Sequence, residues 1–290
     1  MKKVLLCALA GVLALAGVAS SAEKSVIRLG LLSKLNTTEE EFAEVWRKTF
    51  APPSGELEVI IKFYDSMTAM QMAMNRREIH EMVLPEVAAE YALNINPDLE
   101  ATLVLRSKGM GLAFGFRDDE EGRTLRDKFN ASLETMRDNW ELAVLEGSYL
   151  SSRSEPQPVK FAKTDGAQTV RVAVTGDLPP LDYIAPDGTP AGFNTALLAE
   201  IGNMLGVNVE LAEFEAGART AALTSGRADV VFWYEVSANA ETQPDVPEGV
   251  ILSQPYYEWD KFIHIRRKAP EASSWLDFFG RNSILNFYGR

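Results

Sequence analysis

Two stretches of this chain carry the same order of short elements, and that repetition limits the folds open to it more than any other feature of the sequence. In the first, "SVIRLGLLS" (25–33) predicts a strand and "TTEEEFAEVWRKTF" (37–50) a helix, with a Thr cap, acids in its first turn and apolar residues at helical spacing. "ELEVIIKFY" (56–64), "SMTAMQMAMNRR" (66–77) and "HEMVL" (80–84) follow as strand, helix and strand. In the second, "QTVRVAVTG" (168–176) predicts a strand and "NTALLAEIGNMLG" (194–206) a helix whose Gly206 suits a C-terminal cap. "VNVELAEF" (207–214), "ARTAALTSG" (218–226) and "ADVVFWY" (228–234) complete it as strand, helix and strand. Each stretch is β-α-β-α-β. Short strands alternating with helices imply parallel strands covered by helices on both faces. Sheets of this kind meet their ligands at the loops beyond the carboxyl ends of the strands.

The polar segment 151–167, with two prolines and no sustained apolar period, predicts a linker between a first lobe (23–150) and a second (168–290). The second lobe ends in a helical tail rich in aromatic side chains, among them Trp275, Phe278, Phe279 and Phe287. At the other end, Lys2 and Lys3, an apolar run from Val4 to Gly17 and the small residues "VASSA" (18–22) predict a cleavable signal peptide over residues 1–22. The run is shorter than the roughly 20 apolar residues that span a bilayer. The single cysteine, Cys7, lies inside it, and Val18 stands where a lipid-anchored protein would need a cysteine. The expected product is periplasmic or secreted, does not span the membrane after cleavage, and has no thiol chemistry or disulfide. The full chain has 29 Lys and Arg against 41 Asp and Glu, a formal charge of −12. A balance this acidic gives no electrostatic basis for binding nucleic acid.

Several ordered motifs carry a resemblance. They are "DLPPLDY" (177–183), "DGTPAGFNTALLAEIGNMLGVNVEL" (187–211), "ALTSGRADVV" (222–231) and "SQPYYEWDKFIHI" (253–265). Together this stretch resembles family 3 of the extracytoplasmic solute-binding proteins, the amino-acid-type substrate-binding components of ABC transporters. Gly192, Phe193, Leu197, Leu205, Gly206 and Val207 match its Gly-Phe and Leu-Gly-Val signature, and Gly226 and Asp229 its Leu-x-x-Gly-x-x-Asp motif. The first stretch is similar more faintly, through residues 65–93, and residues 114–150 look like the closing helices of that family.

The resemblance implies an α/β, periplasmic-binding-protein type II-like fold of two β-α-β lobes with mainly parallel sheets. Each stretch would supply one lobe, with a cleft between them for a small polar solute and delivery to the membrane permease of an ABC transporter. It implies no catalysis, cofactor or metal. The family usually carries a Thr-x-x-Arg after the third strand, whose arginine clamps a ligand carboxylate. The corresponding "EVSANAETQPDVPEG" (235–249) holds acids and no arginine, and Leu181 replaces the usual phenylalanine. Arg219, at a helix start, is the remaining arginine within reach of such a cleft.

The candidate ligand-binding residues are therefore Asp177, Asp182, Tyr183, Phe193, Trp233, Tyr234, Glu235 and Tyr256 in the second lobe, with Glu241 and Tyr257 beside them. Tyr64, Asp65 and Glu86, near Tyr91, occupy the equivalent strand ends of the first. Carboxylates among aromatic rings suit a cationic or polyhydroxylated solute, since a cation over a ring gains about 0.5 to 2 kcal/mol. Two other classes remain open. A small dehydratase or cell-wall enzyme would need Glu235 as a general acid, but the two histidines, His80 and His264, fall in strand positions without catalytic partners. A sensor or partner-binding module would use the aromatic tail as its interface.

Overall fold

The computed structural model describes residues 25–50, 57–150, 156–237 and 245–268. The signal peptide, Glu241 and the aromatic tail lie outside these residues.

Strand β1 (Ser25–Leu32) runs parallel to β2 (Leu57–Tyr64) on one side and to β3 (Glu81–Pro85) on the other. Helix α1 (Glu39–Phe50) joins the first two strands and α2 (Met67–Asn75) the second and third. The start of α1 is fixed by a reciprocal pair in which Glu41 accepts from the Thr38 amide and Thr38 Oγ1 from the Glu41 amide. Ser66 caps α2 through the Ala69 amide. Helix α3 (Glu86–Ile95) follows directly.

The chain then runs through one strand of 19 residues, β4 (Leu99–Arg117). At about 3.3 Å per residue it spans roughly 60 Å, long enough to belong to both halves of the molecule. Helices α4 (Glu120–Asp138) and α5 (Glu141–Tyr149) come next. Residues 114–117, read from sequence with the helices, thus finish this strand.

The second half repeats the plan. Strand β5 (Thr169–Val174) is parallel to β9 (Asn208–Glu213) and to β10 (Val230–Ser237). Between β5 and β9 lie a small antiparallel sheet of β6 (Asp177–Leu178), β7 (Asp182–Ile184) and β8 (Pro190–Ala191), and helix α6 (Phe193–Leu205). Helix α7 (Ala218–Thr224) leads into β10 through Gly226, whose φ of +73° suits a residue without a side chain. Strand β11 (Val250–Leu252) pairs with β4, and β12 (Tyr257–Arg267) closes the described chain.

Strand order through the main sheet is β2-β1-β3-β12-β4-β10-β5-β9. In each half, a parallel trio in the order second-first-third is followed by an antiparallel strand arriving from the other half. For the first trio that strand is β12, paired with β3 through Phe262 to Ile265. For the second it is the end of β4, paired with β10 through Met110 to Gly115. Strands β4 and β12 also pair with each other along their lengths, with irregular register between Trp259 and Lys261, opposite residues 106–110. The halves are joined by these two strands.

The helices cross over as well. Residues 114–150 follow the first stretch in sequence, yet α4 and α5 pack against α6 of the second half. Phe129 of α4 meets Phe114 and Phe116 edge-on at 5.3 and 5.2 Å. The described part of the predicted linker is strapped to the same half. Val159 is buried, its amide donates to Pro190 O, and Asn208 exchanges hydrogen bonds with Thr164. Val159 and Phe161 supply the apolar anchors that the segment's polar composition obscures.

Candidate functional site

The carboxyl ends of the two parallel trios face each other. The loop after β1 (residues 33–38), the end of β2 and the start of α2 form one wall; the loop after β5, the end of β10 and Asp245 form the other. Among the described residues, three sets of polar contacts cross between them. Lys34 Nζ pairs with Glu235 of β10, both side chains being about nine-tenths buried. The backbone amides of Leu35, Asn36 and Thr37 all donate to one oxygen of Asp245, at 2.8, 2.9 and 3.2 Å. Thr68, in the first turn of α2, donates from its amide (2.9 Å) and its hydroxyl (3.2 Å) to Asp177. Every acceptor in these contacts is a carboxylate of the second half, and every donor belongs to the first.

A cavity of about 10 Å³ is lined by Leu32, Ser33, Lys34, Leu35, Arg219, Glu235 and Asp245, enough for one water molecule. A broader groove of about 500 Å³ lies along β9 and β7, lined by Phe161, Ile184, Val209 and Leu211 among others, and includes none of the predicted site residues.

Electrostatics at the wall follow from burial. Arg219 is fully buried; its Nη1 donates to Phe232 O at 2.7 Å and its Nε to Ala216 O. Burial lowers its pKa, while Asp182 foremost, then Tyr234, Tyr256 and Asp245, push it back up. Asp182 is also fully buried, and burial raises its pKa against the opposing pull of the Gly176 amide, Arg219 and Thr175. Its Oδ2 accepts from the Thr175 amide and hydroxyl and from the Gly176 amide, at 3.1 to 3.2 Å, while Oδ1 has no hydrogen-bond partner. Asp182 therefore holds the loop after β5 in place from beneath. Burial raises the Asp245 carboxyl too, and the Asn36 amide, Lys34 and the Leu35 amide work against that rise.

The structure brings Asp177 and Glu235 to the cleft directly, with Asp65 close by through its 2.9 Å hydrogen bond from Ser33. Tyr64 is half-buried at the end of β2, where its carbonyl accepts from the Ser33 amide and burial raises its phenol. Tyr183 is half-buried in β7, opposite Asp177.

Three other candidates are placed in the core. Phe193 is fully buried; Tyr256 is 1% exposed and stacks on Phe114 at 4.4 Å; Tyr234 is 1% exposed, its hydroxyl 3.1 Å from Thr220 Oγ1. The Tyr234 ring occupies the space above Gly115, where an added Cβ would come within 2.1 Å of it. A bulge between Val231 and Tyr234 explains how β10 accommodates its bulky run. Val231 and Tyr234 share one cluster while Phe232 joins another, and Glu235 reaches Lys34. The side chain of Trp233 lies outside the described residues.

Glu86 pairs with Lys261 of β12, within the first half. Tyr257 packs edge-on against Phe193 at 5.8 Å, and burial pushes its phenol well up. Tyr91, on α3, is buried. His264 is buried with Nδ1 2.8 Å from Glu81, and His80 meets Arg28. Among the described residues, no group of His, Cys, Asp and Glu is placed to hold a metal, and no helix is long and apolar enough to cross a membrane.

Lys34, Thr68 and Asp245 were not among the sequence candidates. Lys34 follows β1 just as Asp177 follows β5, so the strand-end rule applied to the first wall would have found it. Asp245 sits in a stretch without periodicity, and no sequence signal marks it.

Residues 170–274 match the bacterial extracellular solute-binding proteins, family 3. The match covers about a third of the chain. The family 3 stretch includes Asp177, Arg219, Glu235 and Asp245, whereas the donors of the facing wall precede it. Two parallel trios joined by two crossing strands make the whole an α/β fold. No curated protein matches the chain.

Solved structures with which it shares a likeness include the ligand-binding component of an ABC-type import system from Staphylococcus aureus, with zinc bound. There the identity is 11%, over 89% of this chain and 70% of that one, with a TM-score of 0.42. The periplasmic aliphatic sulphonate binding protein SsuA from Escherichia coli aligns at 10% identity over 91% and 71%, with a TM-score of 0.38. The CcmR regulatory domain from Synechocystis PCC6803, in complex with 2-PG, aligns at 10% over 91% and 98%, also with 0.38.

Proposed function

We propose that the protein captures a small polar solute, amino-acid-like, cationic or polyhydroxylated, in the cleft between its two halves and hands it to the permease of an ABC-type uptake system outside the cytoplasm. The observation that carries this reading is the set of acids on the family 3 wall, Asp177, Glu235 and Asp245, meeting the donors of the other wall across the cleft. Such a site performs no chemistry. It recognises its solute through a few placed polar groups and through closure of two lobes about the strands that join them. With the usual carboxylate-clamping arginine absent after β10, Arg219 is, among the described residues, the arginine that lines the small cavity.

A thermal-shift screen of the mature protein against amino acids, polyamines, sugars and short peptides tests the proposal. A solute at a hundredfold its Kd stabilises the protein by about 2.7 kcal/mol, which for a chain of this size raises Tm by roughly 5 to 10 °C. Silence across the panel would count against solute capture and for a sensor or partner-binding role. Turnover of any panel member would make it an enzyme.

A further inference from the structure

We propose that the outer edge of β9 is a docking site for an extended, basic segment of another protein, which adds to the main sheet as a further strand.

Strand β9 is the last on its side of the main sheet. The amides of Asn208 and, just beyond the strand, Phe214 donate inward, to Gln168 O at 2.8 Å and Val174 O at 2.9 Å. Successive residues of a strand in a ladder turn their main-chain groups to opposite sides, so the amides and carbonyls of Val209, Leu211 and Glu213 point away from β5. Among the described residues, none of these groups has a hydrogen-bond partner. The opposite end of the sheet differs. There Tyr64 O accepts from the Ser33 amide on the β1 side, and the outward amide of Phe63 in β2 donates to Glu39 of α1 at 2.7 Å. That edge is tied off by a side chain, and the edge at β9 is left open.

The open edge lies in the groove of about 500 Å³ rather than on a flat surface. Phe161 of the strap and Ile184 of β7 give it apolar walls beside Val209 and Leu211. The walls are held by the chain itself, through the Val159 amide on Pro190 O and the paired bonds of Asn208 and Thr164, which lowers the cost of ordering them around a partner. A strand added to an open edge draws its affinity from main-chain hydrogen bonds and its specificity from alternate side chains. Glu210 and Glu213 line the groove, exposed and without an ion-pair partner among the described residues. Lysine or arginine at alternate positions of the added strand meets them. A second copy of this chain suits the edge less, because two β9 strands paired with each other would crowd the glutamates of both along one seam. None of the cleft residues lines the groove, so this surface stands or falls apart from solute capture.

The probe is a fluorescein-labelled peptide of alternating lysine and valine, titrated with the mature full chain and read by fluorescence anisotropy. Saturable binding is expected, weakened about tenfold or more when alternate peptide nitrogens are methylated, since this removes edge donors and keeps the charge. Glu210→Lys with Glu213→Lys should weaken the lysine peptide by a similar factor and favour a peptide of alternating glutamate and valine. If that variant fails to fold, as read by circular dichroism, Leu211→Pro removes one outward amide without taking a bond from β5 and should weaken binding as well. Absence of saturable binding, or equal affinity for the methylated and unmethylated peptides, would overturn the proposal. So would a dimer in sedimentation that Leu211→Pro dissolves, since the edge would then serve a second copy. Amides of Val209 and Leu211 that lose their protection from exchange when the chain is stopped after Lys268 would overturn it too, by showing the edge filled by the chain's own last residues.

Discussion

The two walls of the cleft share one architecture and differ in what they offer. Each is built at the carboxyl ends of a parallel trio in the order second-first-third, completed by a strand from the other half. The first wall presents mainly main-chain donors, the amides of residues 35, 36, 37 and 68, with Lys34 and the Thr68 hydroxyl as its side-chain contributions. The second presents side chains: Asp177, Glu235 and Asp245, backed by the buried Asp182 and Arg219. Backbone amides are common to every residue except proline, so a wall made of them leaves little trace in composition. The difference teaches why the polar groups of one half of a symmetric plan show in the sequence while most of those of the other do not.

The contrast predicts unequal responses to substitution. The largest effect is expected beneath the second wall. Asp182→Ala would leave the Thr175 and Gly176 donors without an acceptor and remove the carboxylate that most supports the Arg219 charge. A loss of about 3 kcal/mol is expected in urea unfolding, and a loss below about 1 kcal/mol would break the comparison.

Asp182 also gives a pH signature. Its folded pKa is raised above the ordinary 3.8, so the folded state holds a proton that the unfolded chain releases. Its contribution is fully present below the ordinary value and is lost as pH rises through the folded pKa, with a slope of at most about 1.4 kcal/mol per pH unit. In Asp182→Asn this component should vanish. Unfolding free energies of the two proteins measured from pH 3.5 upward should therefore diverge, the parent losing stability relative to the variant. Parallel curves would remove the buried carboxyl from the account.

At the wall itself, Asp245→Ala is expected to cost about 1 to 2 kcal/mol by the same unfolding assay, since three amides lose their acceptor but regain water when the cleft opens. The smallest effect is expected opposite it. Thr37→Ala keeps the amide that makes the contact, and its stability should stay within about 0.5 kcal/mol of the parent. Equal losses at these two positions would mean that the first wall acts through side chains after all.

Much of the fold was legible because its signals are periodic. The β-α-β-α-β order of both halves follows from strand-length apolar runs, caps at Thr38 and Ser66, and Gly206 and Gly226 at turns. The exchange between halves was not. Nothing in "LEATLVLRSKGMGLAFGFR" states that β4 continues past its own trio, because that depends on pairing with β12, some 150 residues away in the chain. Among the candidates read from sequence, Asp177 and Glu235 are charged, sit at strand ends and meet the facing wall. Phe193, Tyr234 and Tyr256 looked similar by position, yet large rings at a strand end gain more by burial, at about 25 cal/mol per Å² of apolar surface, than by lining a polar cleft. The bulge in β10 that turns Tyr234 inward has no local sequence rule.

The central claim is that the second half seats its own carboxylate on the main chain of the first. Amide hydrogen exchange at Leu35, Asn36 and Thr37 tests this most directly. In the parent protein these amides should be protected, and in Asp245→Ala they should exchange at rates near those of open loops while the amides of β1 and β5 keep their protection. Equal exchange at residues 35–37 in both proteins would contradict the account.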